Sequence, residues 1–229
     1  MIFGKYQIID KIEIQIPGGL LILEKLDGNM IRVKKIVKGI ESSKIISTPH
    51  TSQIDLKAIP PLSGPLNTTC LYIVPPEPIV LPGGSTLEYE IKIPVDLGVF
   101  IGDTLIDVIA LGKVKYALYG PPDMGDICRY VDSDILASYG NHVASAKTLF
   151  KSESPDTVEI SRLVLPLKNT TMYSTTMDKL YFSDVVVRVR SPLHIEVEVK
   201  GESTLPLLGL LLTLFKGAGA IYIMKHGVK

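Results

Sequence analysis

The chain has 229 residues with 24 basic and 24 acidic side chains; 46% of its residues are apolar and 21% charged. That apolar share excludes a disordered chain, and the zero formal net charge argues against nucleic acid as a general partner, because phosphate binding needs a basic excess. The 27 Ile and 19 Val against 8 Ala favour pleated surfaces, on which β-branched side chains pack well, over helices. Asn and Gln total 7, an amide shortage of the kind seen in thermophile proteins.

In chain order, Lys11–Ile16 alternates strictly, with Ile12, Ile14 and Ile16 on one face of a half-buried strand, and Pro17-Gly18-Gly19 ends it. Leu20 to Leu26 and Met30 to Val37 flank Asp27-Gly28-Asn29, a hairpin signal. Ser52 to Ile59 alternates again, and Pro60, Pro61 and Pro65 close that section in an extended connection. Further strands are read at Thr69–Val74, Ile79–Leu81, Leu87–Val95, Val99–Ile101, Ile106–Leu111 and Lys115–Tyr119. In the third of these, Leu87, Tyr89, Ile91 and Ile93 form the buried face and Glu88, Glu90 and Lys92 the wet one, the layout of an antiparallel sheet. Ser133 to Phe150 is ambiguous: Ser133-Asp134 offers a helix cap and Ala137, Ala144 and Ala146 permit a helix, but Gly140-Asn141 in its middle argues against one. Strands resume at Val158–Leu165, Leu180–Arg190, Leu193–Lys200 and Ala220–Met224.

These elements predict an all-β fold: a largely antiparallel β-sandwich or barrel-like pair of halves, with at most one or two short helices. Residues 1–229 form one compact unit, with a subdivision into 1–149 and 150–229 left open. Pro65–Tyr72 resembles Pro166–Tyr173, so a duplicated motif of about 100 residues stands beside chance similarity. Both copies carry Asn-Thr-Thr at Asn67 and Asn169, read as a shared turn rather than as glycosylation sites. Cys70 and Cys128 are read as two buried free thiols, with a single bridge as the alternative. The N-terminus lacks an apolar signal segment, which gives a cytoplasmic expectation.

No phosphate-cradling, zinc-protease, paired-cysteine or nucleophile-elbow motif occurs. His50, His142, His194 and His226 lack metal-ligand spacing, and neither metal nor cofactor is expected. The densest polar constellation runs from Tyr116 to Asp134 and holds Tyr116, Tyr119, Asp123, Asp126, Arg129 and Tyr130 around a Gly/Pro-rich loop. The two aspartates offer oxygen ligands or an acid/base pair, and Arg129 an anion clamp. The favoured reading is structural: aspartates starting turns, tyrosines at sheet edges, and Arg129 paired with a loop aspartate.

The segment "KYALYGPPDMGDICRY", preceded by "IPVDLGVFIGDTLIDVIAL", together with "MIFGKYQI" and "VEISRLVLPL", resembles the archaeal domain-of-unknown-function family 432. The resemblance covers most of the chain and implies an archaeal origin, with no activity, cofactor or catalytic residue to carry over.

Leu205–Phe215 is an apolar run of 11 residues, shorter than the roughly 20 a spanning helix needs, and extension to Met224 places Lys216 inside. A core element or partner interface is favoured there over a membrane-associated helix. The resulting expectation is a non-enzymatic binding or protein-interaction module with an unknown protein partner or a second copy. The alternatives are a hydrolase-like enzyme using the Tyr116–Asp134 loop and a membrane-associated accessory protein using residues 205–224.

Overall fold

The computed structural model describes residues 2–27, 29–48, 53–62, 68–121, 125–167, 170–174, 179–200, 213–214 and 221–224. Twenty-one strands and one short helix follow one another along them. The first six are β1 (Gly4–Gln7), β2 (Lys11–Ile16), β3 (Gly19–Leu26), β4 (Met30–Val37), β5 (Ile40–Ser47) and β6 (Gln53–Ile59). The middle holds β7 (Cys70–Ile73), β8 (Ile79–Leu81), β9 (Thr86–Pro94), β10 (Asp96–Ile101), β11 (Thr104–Ala110), β12 (Tyr116–Tyr119) and β13 (Asp126–Val131). Then come α1 (Ser133–Tyr139), β14 (Val143–Ser152), β15 (Val158–Ile160), β16 (Leu163–Pro166), β17 (Thr171–Ser174), β18 (Leu180–Ser191), β19 (His194–Val199), β20 (Thr213–Leu214) and β21 (Ile221–Met224). The fold is mostly β, in several largely antiparallel sheets, none of them closed.

Strands β2-β3-β4-β5 form an antiparallel meander. Its first turn is Pro17-Gly18, with Gly18 at φ 69°. Its last is Lys38-Gly39, where both residues have positive φ (52° and 77°), the backbone that lets a two-residue turn follow strand twist. The meander's buried face (Ile14, Ile16, Leu21, Leu23, Ile31, Val33) packs on the sheet β1-β6-β10-β11 through Ile54, Leu56, Leu97, Val99 and Ile109. Lys35 and Lys44 reach across the rim of this stack to Asp107 at 2.9 and 3.1 Å. Lys44 lies on edge strand β5, where a charged side chain discourages further strand addition.

A second cluster gathers residues of β7, β9, β13, β14, β16, β18 and β19. Its largest sheet has seven strands in the order β20-β17-β18-β14-β9, with β19 pairing β18 and carrying β21. Two contacts are parallel, β13 with β7 and β14 with β18. The chain passes between the clusters at the start of β10: Val95 belongs to one, Leu97 to the other, and Asp96 sits at the crossing.

Three expectations are corrected. Cys70 and Cys128 are bridged, not free. Strands β7 and β13 lie side by side with Leu71 opposite Arg129, which puts the two preceding cysteines level with each other, 4.7 Å apart at Cα. The Asp126–Val131 segment is a strand rather than part of a loop. In β9, Ile91 and Ile93 are buried but Leu87 and Tyr89 are each 37% exposed, because β9 is an edge strand and the core cluster takes in Ile91 and Ile93 but not them. The disfavoured membrane alternative required one continuous helix over 205–224, but Thr213–Leu214 and Ile221–Met224 are strands, and the Met224 sulfur accepts a hydrogen bond from the Val164 N–H at 3.4 Å. The rest of that run, together with Asn67 and Asn169, lies outside the described residues.

The ambiguous Ser133–Phe150 stretch divides at its glycine. Asp132 caps α1 by accepting from the Ile135 N–H at 2.8 Å, and Gly140 at φ 55° ends the helix. The ten residues of β14 follow.

Candidate functional site

The strand register separates the residues of the Tyr116–Asp134 constellation. Opposite pairs share a sheet face, so Tyr116 and Arg129 lie on one face of β12-β13-β7-β16, while Tyr119, Asp126 and Tyr130 lie on the other. Asp123 lies outside the described residues.

On the first face Arg129 is 1% exposed, and it does not pair with a loop aspartate. Its guanidinium donates to the Tyr139 hydroxyl at 2.6 Å and lies 3.7 Å from the carboxylate of Asp96, which is fully buried. The Tyr139 hydroxyl in turn donates to Asp96 at 3.3 Å. Burial, and then the Asp96 charge, push the Tyr139 hydroxyl well above its ordinary pKa, so it stays protonated and bridges cation to anion. A Cβ on Gly112 would stand 2.3 Å from the Tyr139 ring, so only glycine lets α1 settle there. The Tyr116 ring lies 6.0 Å from the Arg129 guanidinium. These groups neutralise one another at the seam between the two apolar clusters, and solvent does not reach the charged pair.

On the second face Tyr72 stacks on Tyr130, with centroids 5.9 Å apart and planes 21° apart, and meets Tyr119 at 6.3 Å. Lys115 lies 5.7 Å from the Tyr130 ring centre. Burial and the neighbouring Asp132 raise the Tyr130 pKa. Asp126 is exposed.

Sequence reading missed a concavity away from that segment. On the outer face of the seven-stranded sheet, a cleft of about 360 Å³ is lined by residues of β9, β14 and β18, among them Glu88, Glu90, Ser145, Lys147, Tyr181 and Asp184. A bulge builds it: between the Ala146–Phe182 and Thr148–Val185 pairs, Ser183 and Asp184 together oppose Lys147. The outer groups are already organised. Glu88 and Lys147 form an ion pair at 3.4 Å. The Ser145 hydroxyl donates to Glu90 at 2.9 Å and accepts from Lys92 at 2.9 Å, and Lys92 also pairs directly with Glu90. The Lys92 bond, then the Ser145 bond, hold the Glu90 carboxyl below its ordinary pKa. The alternation of Glu88, Glu90 and Lys92 was a legible signal for a wet face; the bulge that hollows it was not.

Among the described residues, no group of three or more His, Cys, Asp or Glu side chains is placed to hold a metal ion, and no helix is long and apolar enough to cross a membrane. No curated protein and no solved structure matches the chain. A family model described as a protein of unknown function does match, over residues 2–212, and the chain therefore belongs to the DUF432 family.

Proposed function

We propose that the chain is a non-enzymatic binding module that meets its partner through the seven-stranded sheet. The observation that carries this reading is the division of its polar groups. Asp96, Tyr139 and Arg129 are sealed and mutually neutralised, whereas the groups open to solvent around the cleft are held as ion pairs. Acid/base catalysis needs a titrating group in reach of substrate with its pKa near the working pH. Glu90 is shifted the other way, toward a permanently ionised acceptor. The hydrolase-like alternative loses support because Arg129 and Asp126 occupy opposite faces of their sheet. Exposed Leu87 and Tyr89 on the open edge of β9 add apolar contact area for a protein partner or a second copy.

The test is a turnover screen on p-nitrophenyl esters, phosphates and glycosides, with the full chain and Asp126→Asn side by side. The reading predicts no turnover that Asp126→Asn removes. Turnover abolished by that substitution, with an unchanged melting curve, overturns it in favour of a loop enzyme.

A further inference from the structure

We infer that the cleft over the β14–β18 bulge is a binding site for a neutral, hydroxyl-rich ligand, that is, a carbohydrate. The inference rests on the binding-module reading and names its ligand class.

Size comes first. A cleft of about 360 Å³ lies at the lower end of the range of small-molecule sites, roughly 300–1,000 Å³, enough for one or two small rings. Construction comes second. The lining side chains stand on three hydrogen-bonded neighbouring strands, so their spacing is fixed by the sheet rather than by a loop.

Charge then selects the ligand. The two exposed carboxylates of the lining each have an ammonium partner, Glu88 with Lys147 and Glu90 with Lys92, and the third, Asp184, is buried. A cation entering the cleft would compete with a lysine and an anion with a glutamate, each at the cost of an existing pair. A neutral hydroxyl does neither. It donates to a carboxylate oxygen while accepting from an ammonium, so a run of hydroxyls slots between the paired groups without separating charge. The Ser145 hydroxyl shows the arrangement, giving its proton to Glu90 and accepting from Lys92. The half-buried Tyr181 ring and the buried Asp184 complete the wall. A sugar ring has both surfaces this lining asks for: an apolar C–H face to lie on an aromatic ring and an edge of hydroxyls for the polar groups.

The experiment is saturation-transfer NMR and calorimetry on the full chain with glucose, mannose, maltose and cellobiose. Spermidine and citrate serve as charged probes. At least one saccharide binds saturably. Its affinity falls about tenfold or more in Glu90→Gln and in Tyr181→Ala, the loss of one charge-assisted hydrogen bond or one stacking contact. Lys147→Ala, at an exposed position, gives the same direction if Tyr181→Ala lowers the melting temperature. Glu41→Gln, on the β2–β5 meander, leaves binding unchanged. Absence of binding to all four saccharides overturns the inference, as does tighter binding of spermidine or citrate. Either result, with the turnover screen negative, removes the ligand class and leaves the binding-module reading standing; turnover lost in Asp126→Asn removes the module reading itself.

Discussion

Removing the Asp96 carboxylate is the sharpest perturbation of the seam between the two clusters. Asp96→Ala leaves the Arg129 guanidinium, 1% exposed, without the anion 3.7 Å away, and leaves the Tyr139 hydroxyl without its acceptor. Stranding one partner of a buried pair costs about 3–5 kcal/mol. For a chain of this size, about 2–4 °C per kcal/mol translates that into a melting temperature lower by roughly 6–20 °C. Urea unfolding followed by far-UV circular dichroism gives the free energy, and calorimetry the melting temperature. Two companion variants apportion the loss. Tyr139→Phe removes only the bridging hydroxyl and costs about 1–2 kcal/mol. Asp96→Leu combined with Arg129→Met removes both charges and recovers most of the stability lost by Asp96→Ala, since a buried pair replaced by apolar groups is often close to neutral. A loss below about 1 kcal/mol for Asp96→Ala, or a double variant less stable than the single, refutes the picture of a mutually compensated buried pair.

Three further outcomes follow from the geometry. Replacing both Cys70 and Cys128 by alanine opens a loop of 58 residues and costs about 4 kcal/mol on the chain-entropy account, measured by the same urea titration; a thiol count on the unreduced, denatured protein reads zero. Gly112→Ala drives a methyl group into the Tyr139 ring and costs about 1–3 kcal/mol; an unchanged urea midpoint would show that α1 is not seated as described. Because the folded-state pKa of Glu90 lies below its ordinary value of 4.5, its contribution is present above that value and is lost as pH falls through the lower, folded-state pKa. Side-chain carboxyl NMR on Lys92→Met shows the Glu90 titration moving up toward 4.5, and no movement would remove Lys92 as the main cause.

How much of this was legible depended on whether the signal was local. Lys11–Ile16 stands where alternation put it, since one buried face leaves its period in the sequence, and Met30–Val37 stands where the hairpin signal put it. Ile40–Ser47 was not read as a strand, because Glu41-Ser42-Ser43-Lys44 on an exposed edge carries no apolar alternation. Asp126–Val131 hid for another reason. Its buried positions hold Cys128, Arg129 and Val131, and an arginine in that pattern reads as polar until its partners are known. Those partners, Asp96 and Tyr139, lie 33 residues before it and 10 after, and no motif links them. The cleft was hidden for a similar reason. It depends on a parallel pairing of β14 with β18 and on one extra residue in β18, and neither leaves a periodic trace. The disulfide also follows from a parallel pairing, that of β7 with β13.

The proposed binding surface lies over the β14–β18 bulge and not on the Tyr116–Asp134 segment. Amide chemical-shift mapping during titration with maltose or cellobiose tests that placement directly. The predicted result is a set of shifts confined to Glu88, Glu90, Ser145, Lys147, Tyr181 and Asp184 and their strand neighbours. Shifts centred instead on Tyr119, Asp126 and Tyr130, with the bulge unperturbed, would contradict it.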